Sequence, residues 1–141
     1  MTIASTTSYR DDIGKLILRV AVAALIGFHG VSKLKHGVGW MAGPLHAHHL
    51  PMFVGYGVYA AEVVAPVLLI VGIFTRPAAS VIALDMVMAL VLVVQGKAFE
   101  IQPQGGGFGA ELQFLYLFSA LAIAFLGSGR FALSKGRGRW D

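Results

Sequence analysis

From Phe53 to Phe74 the chain is apolar or small except for one charged residue, Glu62. At ~1.5 Å per residue the run covers ~33 Å, enough to cross a bilayer. Glu62 then lies far from water on either side. Pro66, four residues on, has no N–H to donate to the carbonyl of Glu62. One position therefore combines an acid at membrane depth with a backbone acceptor that lacks its helical donor. Such an ionisable residue is costly and by default marks a functional site.

The rest of the chain agrees with a membrane setting. It is 57% hydrophobic and 13% charged, too few charges to cover a soluble domain of 141 residues. The expected class is an all-α integral membrane protein with one bundle. Polar residues 1–12 precede it, the bundle spans 13–133, and residues 134–141 form a basic tail. There are no cysteines, which excludes disulfides, thiolate metal sites and thiol redox chemistry by this chain. The net charge of +4 comes from basic residues flanking the apolar runs, so orientation in the membrane explains it better than nucleic-acid binding. The N-terminus lacks the basic lead and short apolar core of a cleaved signal peptide.

The apolar runs predict spans at about 13–31, 53–74, 78–94 and 110–126 in an up-down bundle, with a basic, frayed tail from Gly127. Thr75-Arg76-Pro77 is a minimal turn, which makes the second and third spans antiparallel neighbours. Both termini and this turn then share one side. That side carries Arg10, Lys15, Arg76, Arg130, Lys135, Arg137 and Arg139, against Lys33, Lys35 and Lys97 on the other, so the termini are expected in the cytoplasm. The expected protein is multi-pass. The loop 32–52 holds Trp40 and is expected to lie at the interface. Gly105-Gly106-Gly107 lacks the Lys-Ser/Thr of a phosphate loop and reads as a linker.

Depth along the spans suggests partners. Arg19 and Asp85 lie ~9–10 Å from the cytoplasmic edge, Glu62 ~18 Å, and His29 and Glu111 ~23–24 Å. Arg19 with Asp85 is expected as a structural ion pair, and His29 with Glu111 as an outer pair. Glu62 has no cation at its own level and is the least compensated charge. His46, His48 and His49 are weak metal candidates, because imidazole is a common ligand but no carboxylate lies nearby in sequence; no metal site is expected. Met86 and Met88 lie on different faces and read as packing.

Several stretches, in this order and spacing, resemble one family. They are Leu16-Ile17-Leu18-Arg19, Gly27-Phe28-His29-Gly30-Val31-Ser32-Lys33-Leu34, Glu62, Gly72-Ile73-Phe74-Thr75-Arg76-Pro77, Gly109-Ala110-Glu111 and Gly127-Ser128-Gly129-Arg130-Phe131. Together they resemble the DoxX-like family of small bacterial four-span membrane proteins, over about Lys15 to Leu133. The resemblance implies a four-helix membrane bundle and a link to redox metabolism, since the related DoxD-type protein is a subunit of a thiosulfate:quinone oxidoreductase. It assigns no catalytic roles.

The resemblance also implies the bacterial inner membrane and, taken with the buried polar residues, suggests a quinone-linked subunit of an oxidoreductase complex. Glu62 and His29 would be the catalytic and head-group contacts, Glu111 a further cofactor contact, and Tyr59 and Phe28 the walls. Quinone is the expected cofactor class, and electrons would come from a redox partner protein. The alternatives are a proton-coupled transporter or permeation unit, for which four spans imply a homo-oligomer, and a structural or assembly protein without catalysis.

Overall fold

The computed structural model describes residues 8–102 and 106–141; Gly105 and residues 1–7 of the N-terminal segment lie outside them. Five helices carry the architecture: α1 (Tyr9–His36), α2 (Ala42–Ala47), α3 (Met52–Val71), α4 (Thr75–Val94) and α5 (Glu111–Leu126). By length and composition α1, α3 and α4 can each cross a membrane; α5 is a shorter apolar helix. They form the expected all-α bundle, with α1 packed on α3 and α5, and α4 on α3 and α5.

Local chemistry sets the helix ends. At α1 the Ser8 hydroxyl accepts from the Arg10 N–H and the Asp11 carboxylate accepts from the Ser8 N–H, a reciprocal cap. α1 then runs to His36, where Gly37 ends it with an N–H donated to the Lys33 carbonyl. It is longer at both ends than the apolar run 13–31, so Lys33 belongs to the helix rather than to the following loop. Gly72 closes α3 in the left-handed region at φ 77°, and Phe74 enters α4 at φ 50°. The turn between α3 and α4 is therefore Gly72-Ile73-Phe74, with Thr75–Pro77 already in α4.

The shared core is small and dry. Val22, Ala23 and Ile26 of α1 meet Ala65 and Leu69 of α3, Ala79, Ile82 and Met86 of α4, and Tyr116, Ala120 and Ile123 of α5. Alanine dominates this set, so the backbones approach closely, as membrane helices do when lipid is as apolar as the core. Leu25, Phe28, Phe118 and Phe125 face outward.

Both ends of the bundle are covered. At one end Val38 and Leu45 of the loop 37–51 are buried, so the segment around α2 caps α3 and α4. The Gly-rich loop beside it is also ordered in its described residues. The Gly109 N–H donates to the Glu100 carbonyl and the Ala110 N–H to Ala98, and Phe99 stacks on both Phe108 and Phe114 of α5.

At the other end the C-terminal segment folds back instead of fraying. The Leu133 N–H donates to Val71, Arg76 binds the carbonyls of Ala124 and Asp141, and Asp12 accepts from the Arg130 N–H. A side chain on Gly72 would overlap the Arg19 guanidinium and reach 2.5 Å from the Ala132 Cβ. Gly72→Ala combines this overlap with a strained φ and is expected to lower stability by ~1–3 kcal/mol. Thermal unfolding in detergent checks this; an unchanged midpoint would mean that the cap does not pack on the turn.

Candidate functional site

The site grows out of the irregular half of α3. Pro66 leaves the Glu62 carbonyl without an i+4 donor, and the helix widens there into a π turn over Ala60–Val64, with the Ala65 N–H donating to Ala60. Gly30 of α1 lies directly against the Glu62 carbonyl oxygen, where any Cβ would overlap it. The absence of a side chain at Gly30 lets α1 come close enough to bring its next inward position, Lys33, onto the Glu62 side chain.

Lys33 Nζ forms an ion pair and hydrogen bond with Glu62 Oε1. The side chains are 17% and 7% exposed, so both charges are largely desolvated. This corrects the expectation that Glu62 has no cation at its level. Tyr59 fixes the same end of α1, its hydroxyl donating to the Lys33 carbonyl at 3.2 Å. It acts on the helix and does not line the cavity described below.

The two members of the expected inner ion pair are also placed by this geometry. Arg19 does not pair with Asp85. Arg19 is 1% exposed, packs against Gly72 and Ala132, and donates through Nη2 to the Phe131 carbonyl at 3.0 Å. It is thus level with the start of α4, whereas Asp85 is ten residues, or ~15 Å, further along that helix. Glu62 is equally far from Gly72 on α3, so Asp85 and Glu62 share a level. Asp85 lines a small cavity of about 50 Å³ together with Lys33, Trp40 and Glu62. One ammonium thus stands among two carboxyl groups.

On the other side of Glu62 is a cavity of about 150 Å³. Ile26, His29 and Lys33 of α1, Met86, Ala89 and Val93 of α4, and Gln113 and Tyr116 of α5 line it, with Trp40 and Glu62. A void of ~150 Å³ admits a single six-membered aromatic ring. Two residues of its lining each hold a buried polar atom without a hydrogen-bond partner: Glu62 (Oε2) and Gln113 (Oε1). Buried acceptors of this kind are rare and call for a specific explanation.

The remaining expected site residues divide. His29 lines the cavity but is exposed at its edge, and its ring meets Tyr116 edge-on at 6.1 Å; no contact joins it to Glu111. Glu111 is exposed and lies beside Gly107. Phe28 is 74% exposed and lines an outward groove between α1 and α3, where it approaches Glu62 from the lipid side. His46, His48 and His49 are exposed, and the described residues contain no group of three or more His, Cys, Asp or Glu side chains placed to hold a metal ion.

Sequence reasoning missed Lys33, Gln113 and Tyr116. Lys33 had a signal: Arg19, Val22, Ala23, Ile26, Gly30 and Lys33 follow one helical stripe, which continues past the end of the apolar run. Gln113 and Tyr116, three apart on α5, share a face in the same way.

Residues 14–95 match the family described as DoxX. A Haemophilus influenzae (strain ATCC 51907 / DSM 11121 / KW20 / Rd) relative named "Uncharacterized protein" is 37% identical over 119 residues, covering 84% of this chain and 86% of the relative. A Bacillus subtilis (strain 168) relative named "Putative oxidoreductase CatD" is 30% identical over 122 residues, covering 86% and 85%. No solved structure matches.

Removing one partner of a buried pair strands the other charge, which costs ~3–5 kcal/mol, whereas removing both is far milder. Lys33→Met is therefore expected to destabilise the bundle by about this amount, and Lys33→Met with Glu62→Leu to restore most of it. Thermal unfolding of both variants in the same detergent reads the difference; equal losses would show that the two side chains are not coupled.

Proposed function

We propose that this chain, which belongs to the DoxX family, is a quinone-linked membrane subunit of a redox complex, with the ring held in the cavity beside Glu62. The observation that carries this reading is a buried Lys33–Glu62 ion pair, its second carboxylate oxygen unpartnered, in the wall of a ring-sized cavity. Apolar walls from Ile26, Met86 and Val93 suit the faces of an aromatic ring, and Trp40 and Tyr116 add edges with polar tips. The exposed edge at His29 lies between α1 and α5, so an isoprenoid tail would leave directly into lipid.

Interconversion of a quinone and its quinol moves two protons and two electrons. The protons have candidate carriers here. Lys33, Glu62 and Asp85 lie together and hold one more acid than base. The electrons pass to or from a redox partner protein. Glu62 is the group closest to the reacting oxygen in this reading, and His29 the group at the cavity mouth.

The excess of basic residues at the end formed by the termini and the α3–α4 turn favours cytoplasmic termini in a bacterial cell membrane. The site then occupies the outer half of the bilayer. A proton-coupled permeation role finds less support. Below Met86 the bundle is closed by Ile26, Leu69, Ile82 and Ile123, with no fully buried polar side chain among the described residues until Arg19 and Thr75.

Protein purified from membranes is expected to carry ubiquinone or menaquinone in excess of bulk lipid, read by solvent extraction and mass spectrometry. Ala89→Leu, which places bulk in the cavity wall without removing either charge, is expected to remove that excess while leaving the unfolding midpoint within a few degrees. No enrichment in the parent protein would overturn the quinone reading.

A further inference from the structure

The geometry points to a second site, at the opposite end of the bundle, that binds the phosphate-bearing head group of an anionic phospholipid. It does not depend on the quinone reading. A polar cavity of about 590 Å³ lies where the termini meet the α3–α4 turn. Lys15 of α1, Arg76 of α4, and Arg130 and Lys135 of the C-terminal segment line it, together with Asp12 and Asp141. Cations from three separate parts of the chain thus converge on one space. Orientation in the membrane needs basic residues at this end, but it does not need them gathered round a cavity.

The acids do not cancel these cations. Asp12 is 5% exposed, and both its oxygens are engaged within the fold: Oδ1 accepts from the Arg130 N–H at 3.2 Å, and Oδ2 lies 3.7 Å from Arg130 Nε. Asp141 Oδ1 is buried, and its Oδ2 lies close against Gly138. The cations are more open. The Arg130 side chain is 61% exposed, Lys135 is exposed and Lys15 half-buried. Lys15 and Lys135 form no ion pair among the described residues. The charge that a ligand meets is therefore positive.

The backbone holds these groups in place. Gly129 lies against Asp12 Oδ1 and the Lys15 stem, and a Cβ on Gly136 would come 3.4 Å from the Gly129 backbone, so residues 129–136 close on themselves. Ser128, 1% exposed, bonds to the Ser134 hydroxyl at 3.1 Å across the neck of this loop. Lys135 sits in the left-handed region at φ 55°, a conformation that a residue with a side chain seldom adopts.

The surroundings favour a lipid as the source of the anion. Leu126, which ends α5, lines the cavity and is exposed, and Leu133 is exposed beside it in sequence to Lys135. Tyr9 and Trp140 are exposed at the same end, and these side chains favour the level of the head groups. Basic pockets at that level recognise anionic head groups. A phosphatidylglycerol brings its phosphate without a cation, whereas a phosphatidylcholine brings an ammonium that the lysines repel. A free phosphate would meet the same cations but leave the leucines uncovered.

The test uses the full chain, delipidated in detergent, with dioleoyl-phosphatidylglycerol, dioleoyl-phosphatidylcholine, or inorganic phosphate as probes. Native mass spectrometry reads lipid retention, and the thermal unfolding midpoint reads all three probes. Phosphatidylglycerol is expected to be retained severalfold more than phosphatidylcholine and to raise the midpoint, and inorganic phosphate at the same concentration to leave it unchanged. Lys15→Gln with Lys135→Gln, which breaks no ion pair, is expected to weaken retention about tenfold. Arg10→Gln with Arg137→Gln removes the same charge from the same end outside the cavity lining and is expected to change retention by less than about twofold. Equal losses in the two double variants would overturn the site, leaving only general attraction to a basic surface. Phosphatidylglycerol retained no better than phosphatidylcholine would overturn it as well. A midpoint raised as far by inorganic phosphate as by phosphatidylglycerol would overturn the lipid assignment.

Discussion

The Lys33–Glu62 ion pair is the interaction on which the outer half of the bundle depends. A carboxylate this far into a membrane helix has to be compensated, and an ammonium this far from water has the same need. Each is the other's solution. The pair ties α1 to α3 at the level where α3 departs from regular helix and beside a cavity, and it leaves one carboxylate oxygen without a partner.

Three backbone features make the pair possible. Pro66 removes a donor and widens the turn that carries Glu62. Gly30 removes a side chain where α1 must cross the freed carbonyl. The extension of α1 to His36 places Lys33 one helical turn beyond that crossing. None of these would stabilise a plain helical bundle. Together they hold a polar group in an apolar interior with half of its bonding capacity unused. The opposite end shows the contrast: Arg19 is equally buried, but it lies under a folded C-terminal segment whose carbonyl accepts from it. There the buried charge fastens a cap rather than lining a cavity.

Much of this was legible in the sequence. The four apolar runs gave the helices, and Glu62 with Pro66 stood out because an acid and a proline in one span are each expensive. The partners were not legible, because depth was counted from the edges of hydrophobicity. Arg19 and Asp85 are each ten residues into their helices, but α1 begins beyond the α3–α4 turn and reaches that turn only at Arg19, so the two residues, which seemed level, are ~15 Å apart along the bundle axis. The same error hid Lys33, which hydropathy assigns to a loop and helical periodicity assigns to the core stripe. The folded C-terminal segment left no signal, since its bonds run through backbone carbonyls that every residue possesses.

The most direct measurement of the central claim is the proximity of the Lys33 ammonium and the Glu62 carboxylate in a bilayer. Solid-state NMR on protein labelled with ¹⁵N-lysine and ¹³C-glutamate reads it as dipolar dephasing between lysine Nζ and glutamate Cδ. The account predicts one strongly dephased lysine, at an N···O separation within the ~4 Å of an ion pair, and loss of that signal in Glu62→Gln. Lysine signals that all decay alike, unchanged by the substitution, would contradict it.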